Sequence, residues 1–125
     1  MFVFVYGSLK KDFKFHYLLE NRSIFIGNAK TIEKYSLFRY KNFDFPYMNS
    51  IPSSVIHGEL YKIDKKTLKD LDLLEGYPIF YNRKQIQVIS NGSNYLSYVY
   101  FLKEDLIEKG SSLNNWTIDN EAGGF

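Results

Sequence analysis

Cysteine is absent from this 125-residue chain. That excludes disulfides, thiol nucleophiles and cysteine-based metal sites. Histidine is scarce: His16 and His57 are the only two, and neither has a second histidine or an acid at metal-ligand spacing. Neither sign of charge dominates. Sixteen basic residues face fourteen acidic ones, a formal net charge of +2. The lysines are scattered and form no stripe, which argues against nucleic acid as a partner. No run approaches the ~20 apolar residues of a membrane span. The apolar first nine residues lack the basic stretch and cleavage site of a secretory signal. The expectation is a cytoplasmic protein with no membrane partner. A Gly-x-x-x-x-Gly-Lys phosphate loop is missing, and no Gly-x-Ser-x-Gly elbow surrounds Ser8. There is no internal repeat and no interdomain linker.

What the chain has in quantity is aromatic residues: eleven Tyr, eleven Phe and one Trp, 18% of the sequence within a 45% hydrophobic whole. Its length suits one domain with a real core. The pattern predicts a strand over 1–6 and a short helix over 13–20 capped by Asp12. A strand is expected from Ala29 to Phe38, then a loop or edge from Asn42 to Pro52. Alternation over Val55 to Ile63 predicts a strand, with Gly58 where something packs close. The clearest helix is Lys65 to Glu75, with Asp64 as N-cap and Gly76 followed by Pro78 as its stop. Strands over 82–90 and 95–102 flank Asn91-Gly92, a hairpin signal. The expected class is α+β: a small mixed β-barrel or strongly curled sheet of about five to seven strands, with two or three short helices. Residues 1–112 are expected to form the domain. Residues 113–125 are expected to form a polar, partly mobile tail in which Trp116 is the one residue suited to docking back.

Two features carry chemistry. The first strand runs straight into Tyr6-Gly7-Ser8-Leu9-Lys10. A Gly-Ser corner after a buried strand turns the backbone sharply and presents consecutive N–H groups, which suits a carboxylate or phosphate. The second feature is Glu75. At ~100° per residue, Leu68, Leu71 and Glu75 fall within about 60° of one another, so the carboxylate lies on the buried stripe. Desolvation and the helix C-terminus both raise its pKa there, which suits a proton shuttle near neutral pH. The plainer alternative pairs Glu75 with Arg83 or Arg39 as a structural ion pair. Tyr77, Tyr81 and Arg83 follow the helix and are expected to line or brace the pocket. Tyr81 is the expected substrate contact, through its phenol.

The ordered set Val5-Tyr6-Gly7-Ser8-Leu9-Lys10, Gly58-Glu59-Leu60-Tyr61, Leu71 through Pro78 and Tyr81-Asn82-Arg83 resembles the γ-glutamylcyclotransferase-like superfamily, in its AIG2-like or γ-glutamylamine cyclotransferase branch. The resemblance spans about residues 1–102. It implies an intramolecular acyl transfer that releases 5-oxoproline and a free amine from a small γ-glutamyl amide, with no cofactor. By the same resemblance, Tyr6, Gly7, Ser8 and Leu9 hold the glutamyl head and Glu75 is the general acid/base. One competing reading is a non-catalytic module that binds a small carboxylate on the same fold. Another is an aromatic barrel for single-stranded nucleic acid, which the near-neutral charge disfavours.

Overall fold

The computed structural model describes residues 1–39, 46–102 and 114–116. Its centre is a closed barrel of five strands. These are β1 (Phe2–Val5), β2 (Ile24–Thr31), β5 (His57–Lys62), β6 (Tyr81–Ser90) and β7 (Ser93–Leu102), in the order β1-β5-β2-β6-β7. All neighbours are antiparallel except β1 and β7, which close the barrel in parallel at Val3 and Tyr98. A two-stranded sheet of β3 (Tyr35–Arg39) and β4 (Pro46–Ser54) lies apart in hydrogen bonding, with β4 against β7. One α-helix, α1 (Lys65–Glu75), and a single 3₁₀ turn (His16–Leu18) complete the described elements. The expected mixed barrel of the α+β class is what forms. No helix among the described residues is long and apolar enough to cross a membrane.

Strand alternation divides the core in two. β1 sends Val3 and Val5 to a cluster with Leu68 and Leu71 of α1. It sends Phe4 and Tyr6 to a second cluster with Leu60, Val88 and Val99. This is the period-2 geometry of a strand buried on both faces. Gly58 sits opposite β1, where a Cβ would collide with the Val5 carbonyl and lie 2.8 Å from the Phe4 ring. Its lack of a side chain lets these strands close. Asn91 and Gly92 both have positive φ, 51° and 78°, the two left-handed positions of a tight hairpin turn. The 81–90 and 93–102 strands pair through them in register from Tyr81–Leu102 to Ser90–Ser93.

Helix α1 has the expected bounds. Asp64 Oδ1 accepts from the Thr67 N–H at 2.8 Å. Gly76 takes φ 66°, and its N–H closes the helix on Asp72 and Leu73 carbonyls.

Three expectations change. The 13–20 helix is only the 3₁₀ turn at His16–Leu18. Asp12 is no cap, since it adopts φ 71°, and a run this short has little to propagate a helix. The 29–38 strand is two strands. The Thr31 hydroxyl bonds the Glu33 carbonyl at 2.7 Å and accepts from the Ile56 N–H at 3.0 Å, turning the chain between β2 and β3. The 42–52 loop is largely strand β4, while 42–45 lie outside the described residues. Pro46 opens the strand, and Pro52 falls where the register shifts between Ser36–Asn49 and Tyr35–Ser54. Proline needs no ladder donor in either place.

Most of the 113–125 tail lies outside the described residues, but Trp116 is fully buried in the second cluster.

Candidate active site

Four chain segments far apart in sequence converge on one cavity of about 300 Å³. The end of β1 supplies Val5 through Leu9. The end of α1 supplies Leu74 and Glu75, and Phe80 and Tyr81 follow from the turn after it. Tyr100 of β7 and Pro46 of β4 complete the wall, with Lys14 and Phe15 from the loop after the turn. All six residues expected from the sequence, Tyr6, Gly7, Ser8, Leu9, Glu75 and Tyr81, line it together.

The turn after β1 owes its geometry to its carbonyls. Gly7 O accepts from the Lys10 N–H at 3.0 Å, and Ser8 O from the Phe15 N–H at 2.8 Å. Leu9 O lies 2.9 Å from His16 Nδ1, a contact that requires the proton on that nitrogen. Three successive carbonyls are thus held by the protein. Among the described residues, the Gly7 and Leu9 N–H groups donate to no carbonyl. A peptide carbonyl and the following N–H point in roughly opposite directions. With the Ser8 carbonyl held by Phe15, the Leu9 N–H faces the opposite way, a backbone donor of the kind that suits an anion. Gly7 is required for a steric reason: a Cβ there would lie 2.5 Å from Pro46 Cγ.

Glu75 occupies the opposite wall. Its side chain is half-buried and open to the cavity. Among the described residues, neither a cation nor a hydrogen-bond donor meets its carboxylate. Desolvation by the surrounding protein raises its pKa from 4.5 to about 7.

Of the two cations weighed as ion-pair partners of Glu75, Arg83 pairs elsewhere, and the Arg39 side chain lies outside the described residues. Arg83 Nε lies 2.9 Å from Asp72 Oδ1 and its Nη2 3.3 Å from Oδ2. That hydrogen bonding raises the guanidinium pKa further. The guanidinium also lies over the rings of Tyr77 and Tyr98, at 4.5 and 5.0 Å.

Hydroxyls around Glu75 are committed to protein acceptors. Tyr6 donates to the Tyr100 carbonyl at 2.6 Å, and Tyr100 donates to Asp72 Oδ1 at 2.7 Å. Both phenols are pushed well above the ordinary range, first by burial and then by neighbouring negative charge that includes Glu75. Tyr81 donates to the Pro46 carbonyl at 2.7 Å. Its phenol proton, expected for the substrate, instead braces the residue that Gly7 must clear. Among the described residues no cluster of three His, Asp or Glu side chains forms a cation site.

Sequence reasoning did not single out Tyr100, Asp72 or Pro46 for the site. Tyr100 reads as one more aromatic of a strand. Asp72 reads as a flank of the helix, although it stands one turn before Glu75. Only the pairing of β7 beside β1 makes them neighbours.

The family profile described as γ-glutamyl cyclotransferase, AIG2-like, matches residues 3–118. The chain belongs to that family. A provisionally named γ-glutamylcyclotransferase of Methanocaldococcus jannaschii is 41% identical over 120 residues, covering 87% of this chain and 92% of that protein. A γ-glutamylaminecyclotransferase of Danio rerio is 39% identical over 92 residues, covering 69% of this chain and 60% of that protein. The chain therefore spans nearly all of the archaeal relative but little more than half of the animal one. Among solved structures, an AIG2-like protein of Mus musculus superposes with a TM-score of 0.75 at 25% identity, covering 84% of this chain and 80% of that one.

Proposed function

We propose that the protein is a γ-glutamylamine cyclotransferase-type enzyme in which Glu75 is the general acid/base and the Tyr6–Leu9 turn holds the glutamyl head. One observation carries the reading: a carboxyl with a pKa of about 7 shares a cavity with an anion-suited turn. A carboxylate facing a bound carboxylate repels it unless it is there to handle a proton.

The α-carboxylate of a γ-glutamyl amide sits on the N–H groups of the turn. Pinning it folds the flexible chain so that the α-nitrogen approaches the γ-carbonyl carbon, which supplies the effective molarity of a five-membered ring closure. Ionised Glu75 takes a proton from the α-ammonium, and the freed nitrogen attacks. The new C–N bond forms as the amide C–N bond breaks. Glu75 returns that proton to the departing nitrogen, then takes the second proton that the attacking nitrogen sheds on becoming a lactam N–H and passes it to the amine, which leaves as its ammonium ion. The products are 5-oxoproline and the free amine. Water is neither consumed nor released, and electrons balance without a redox partner. The γ-glutamylamine names of the animal relatives support the choice of substrate within the family.

Incubation with a panel of γ-glutamyl amines and γ-glutamyl dipeptides, scored by 5-oxoproline release, tests the proposal. Turnover of γ-glutamyl amines above dipeptides is expected. Saturable binding across the panel without any 5-oxoproline would replace catalysis by simple carboxylate binding.

A further inference from the structure

We propose that Lys10 is a positioning residue. Its buried ammonium ties the anion-binding turn to residues 114–116, so the C-terminal segment sets the geometry of a site it does not line. The inference rests on the assignment of the Gly7–Leu9 turn to the glutamyl head.

Lys10 closes the turn with its backbone, donating to Gly7 O at 3.0 Å. Its side chain leaves the turn in the other direction and is only 7% exposed. Burying an ammonium carries a desolvation penalty of several kcal/mol unless hydrogen bonds replace the lost water. The replacements come from the C-terminal segment. Nζ donates to Asn115 Oδ1 at 3.1 Å and to the Trp116 carbonyl, more than 100 residues away in sequence. The Phe13 ring, 4.8 Å from Nζ, adds a cation–π contact.

The segment is fastened at two more points. Asn114 O accepts from the His57 N–H at 2.9 Å, and the Trp116 side chain is fully buried beside Phe4 and Tyr6. His57 begins β5, which pairs with β1 up to Val5–Glu59. The segment therefore grips both the strand that leads into the turn and the residue that ends it. A surface tail needs none of this. None of residues 114–116 lines the cavity, so their effect on substrate must pass through the turn.

Three variants of the full chain test this: Lys10→Met, which keeps the apolar stem and removes the donors, Lys10→Arg, which keeps the charge and donors, and Asn115→Ala, which removes one acceptor. Amide hydrogen exchange at residue 10, Phe15 and His57, whose N–H groups donate to Gly7, Ser8 and Asn114 carbonyls, is measured alongside KM and kcat for the best γ-glutamyl amide. Lys10→Met is expected to speed exchange at all three amides and to raise KM about tenfold, the equivalent of roughly 1.4 kcal/mol, with kcat within about twofold. Asn115→Ala should show a smaller change in the same direction, and Lys10→Arg should recover most of the loss. Faster exchange at His57 with residue 10, Phe15 and KM unchanged would overturn the inference, because the tail would then be loosened without effect on the turn. Should Lys10→Met fail to fold, Asn115→Ala alone decides, and unaltered turn exchange and KM in it refute the coupling. Absence of 5-oxoproline release from the wild type would sink the proposed reaction, while the exchange measurements would still report on the tether.

Discussion

Replacing Glu75 by Gln separates the chemical from the structural role of this carboxyl, because the two predict opposite changes in stability. Gln keeps the shape and can hydrogen-bond, but it cannot take and return a proton. Turnover should fall roughly 10²–10⁴-fold, the range supplied by a positioned acid/base. Stability should move the other way. A carboxyl whose pKa rises from 4.5 to about 7 on folding resists ionisation in the folded state by at most about 3 kcal/mol, at ~1.36 kcal/mol per pKa unit. Solvent screening at this half-buried position reduces this to roughly half. The sign follows from proton counting. Below about pH 4.5 the group is protonated in both folded and unfolded chains, and wild type and variant should be equally stable. Between about 4.5 and 7 the folded chain holds a proton that the unfolded chain has lost, so wild-type stability falls as pH rises. Above about 7 the difference reaches its plateau, with Glu75→Gln the more stable. Urea unfolding at pH 4.5, 6 and 8 measures the three regimes. In parallel, wild-type kcat/KM should drop as pH falls through about 7, when the base is protonated. Equal rates in wild type and variant would remove Glu75 from the chemistry. A variant less stable at every pH would show that Glu75 holds the fold through a partner.

Gly7→Ala places a Cβ 2.5 Å from Pro46 Cγ. It should raise KM about tenfold or more by displacing the turn, while thermal unfolding shows the fold retained. Tyr81→Phe leaves the buried Pro46 carbonyl without its phenol donor. A loss of about 1–3 kcal/mol, read by denaturant unfolding, should accompany any rise in KM. Kinetic change at constant stability would return Tyr81 to direct substrate contact. Arg83→Met deprives Asp72 of its cation and should destabilise the fold by on the order of 2 kcal/mol. It should also move the acid limb of the kcat/KM profile upward, since an uncompensated carboxylate one helical turn away disfavours ionised Glu75. An unmoved limb would confine Arg83 to bracing.

Local signals were the legible part of this chain. Helix α1 could be read to its bounds because its start and stop are side-chain and backbone properties of Asp64 and Gly76. The Asn91-Gly92 hairpin was equally plain, since both positions need positive φ and the residues there accept it. Gly58 announced a close approach without naming β1 as what approaches. The wheel placed Glu75 on the buried face, and the Gly7-Ser8 corner declared itself at the end of a strand. Nonlocal pairing settled everything else. Nothing within 13–20 shows that three carbonyls of the turn must be held from that stretch and from Lys10, which competes with helix formation there. Pro46 and Pro52 argue for a loop until the partner strand β3 turns out to need no donor from either. The sequence offers Glu75 as a partner for Arg83, and the packing of β6 against α1 gives it Asp72 instead. Burial then raises the Glu75 pKa with no cation among the described residues to lower it. In the sequence Lys10 is the last residue of the opening motif with nothing to mark it as buried, and residues 114–116 return to supply acceptors for its ammonium. The helix stripe by itself points to a raised Glu75 pKa, but the cavity that Glu75 shares with the Gly7–Leu9 turn exists only once distant strands close the barrel.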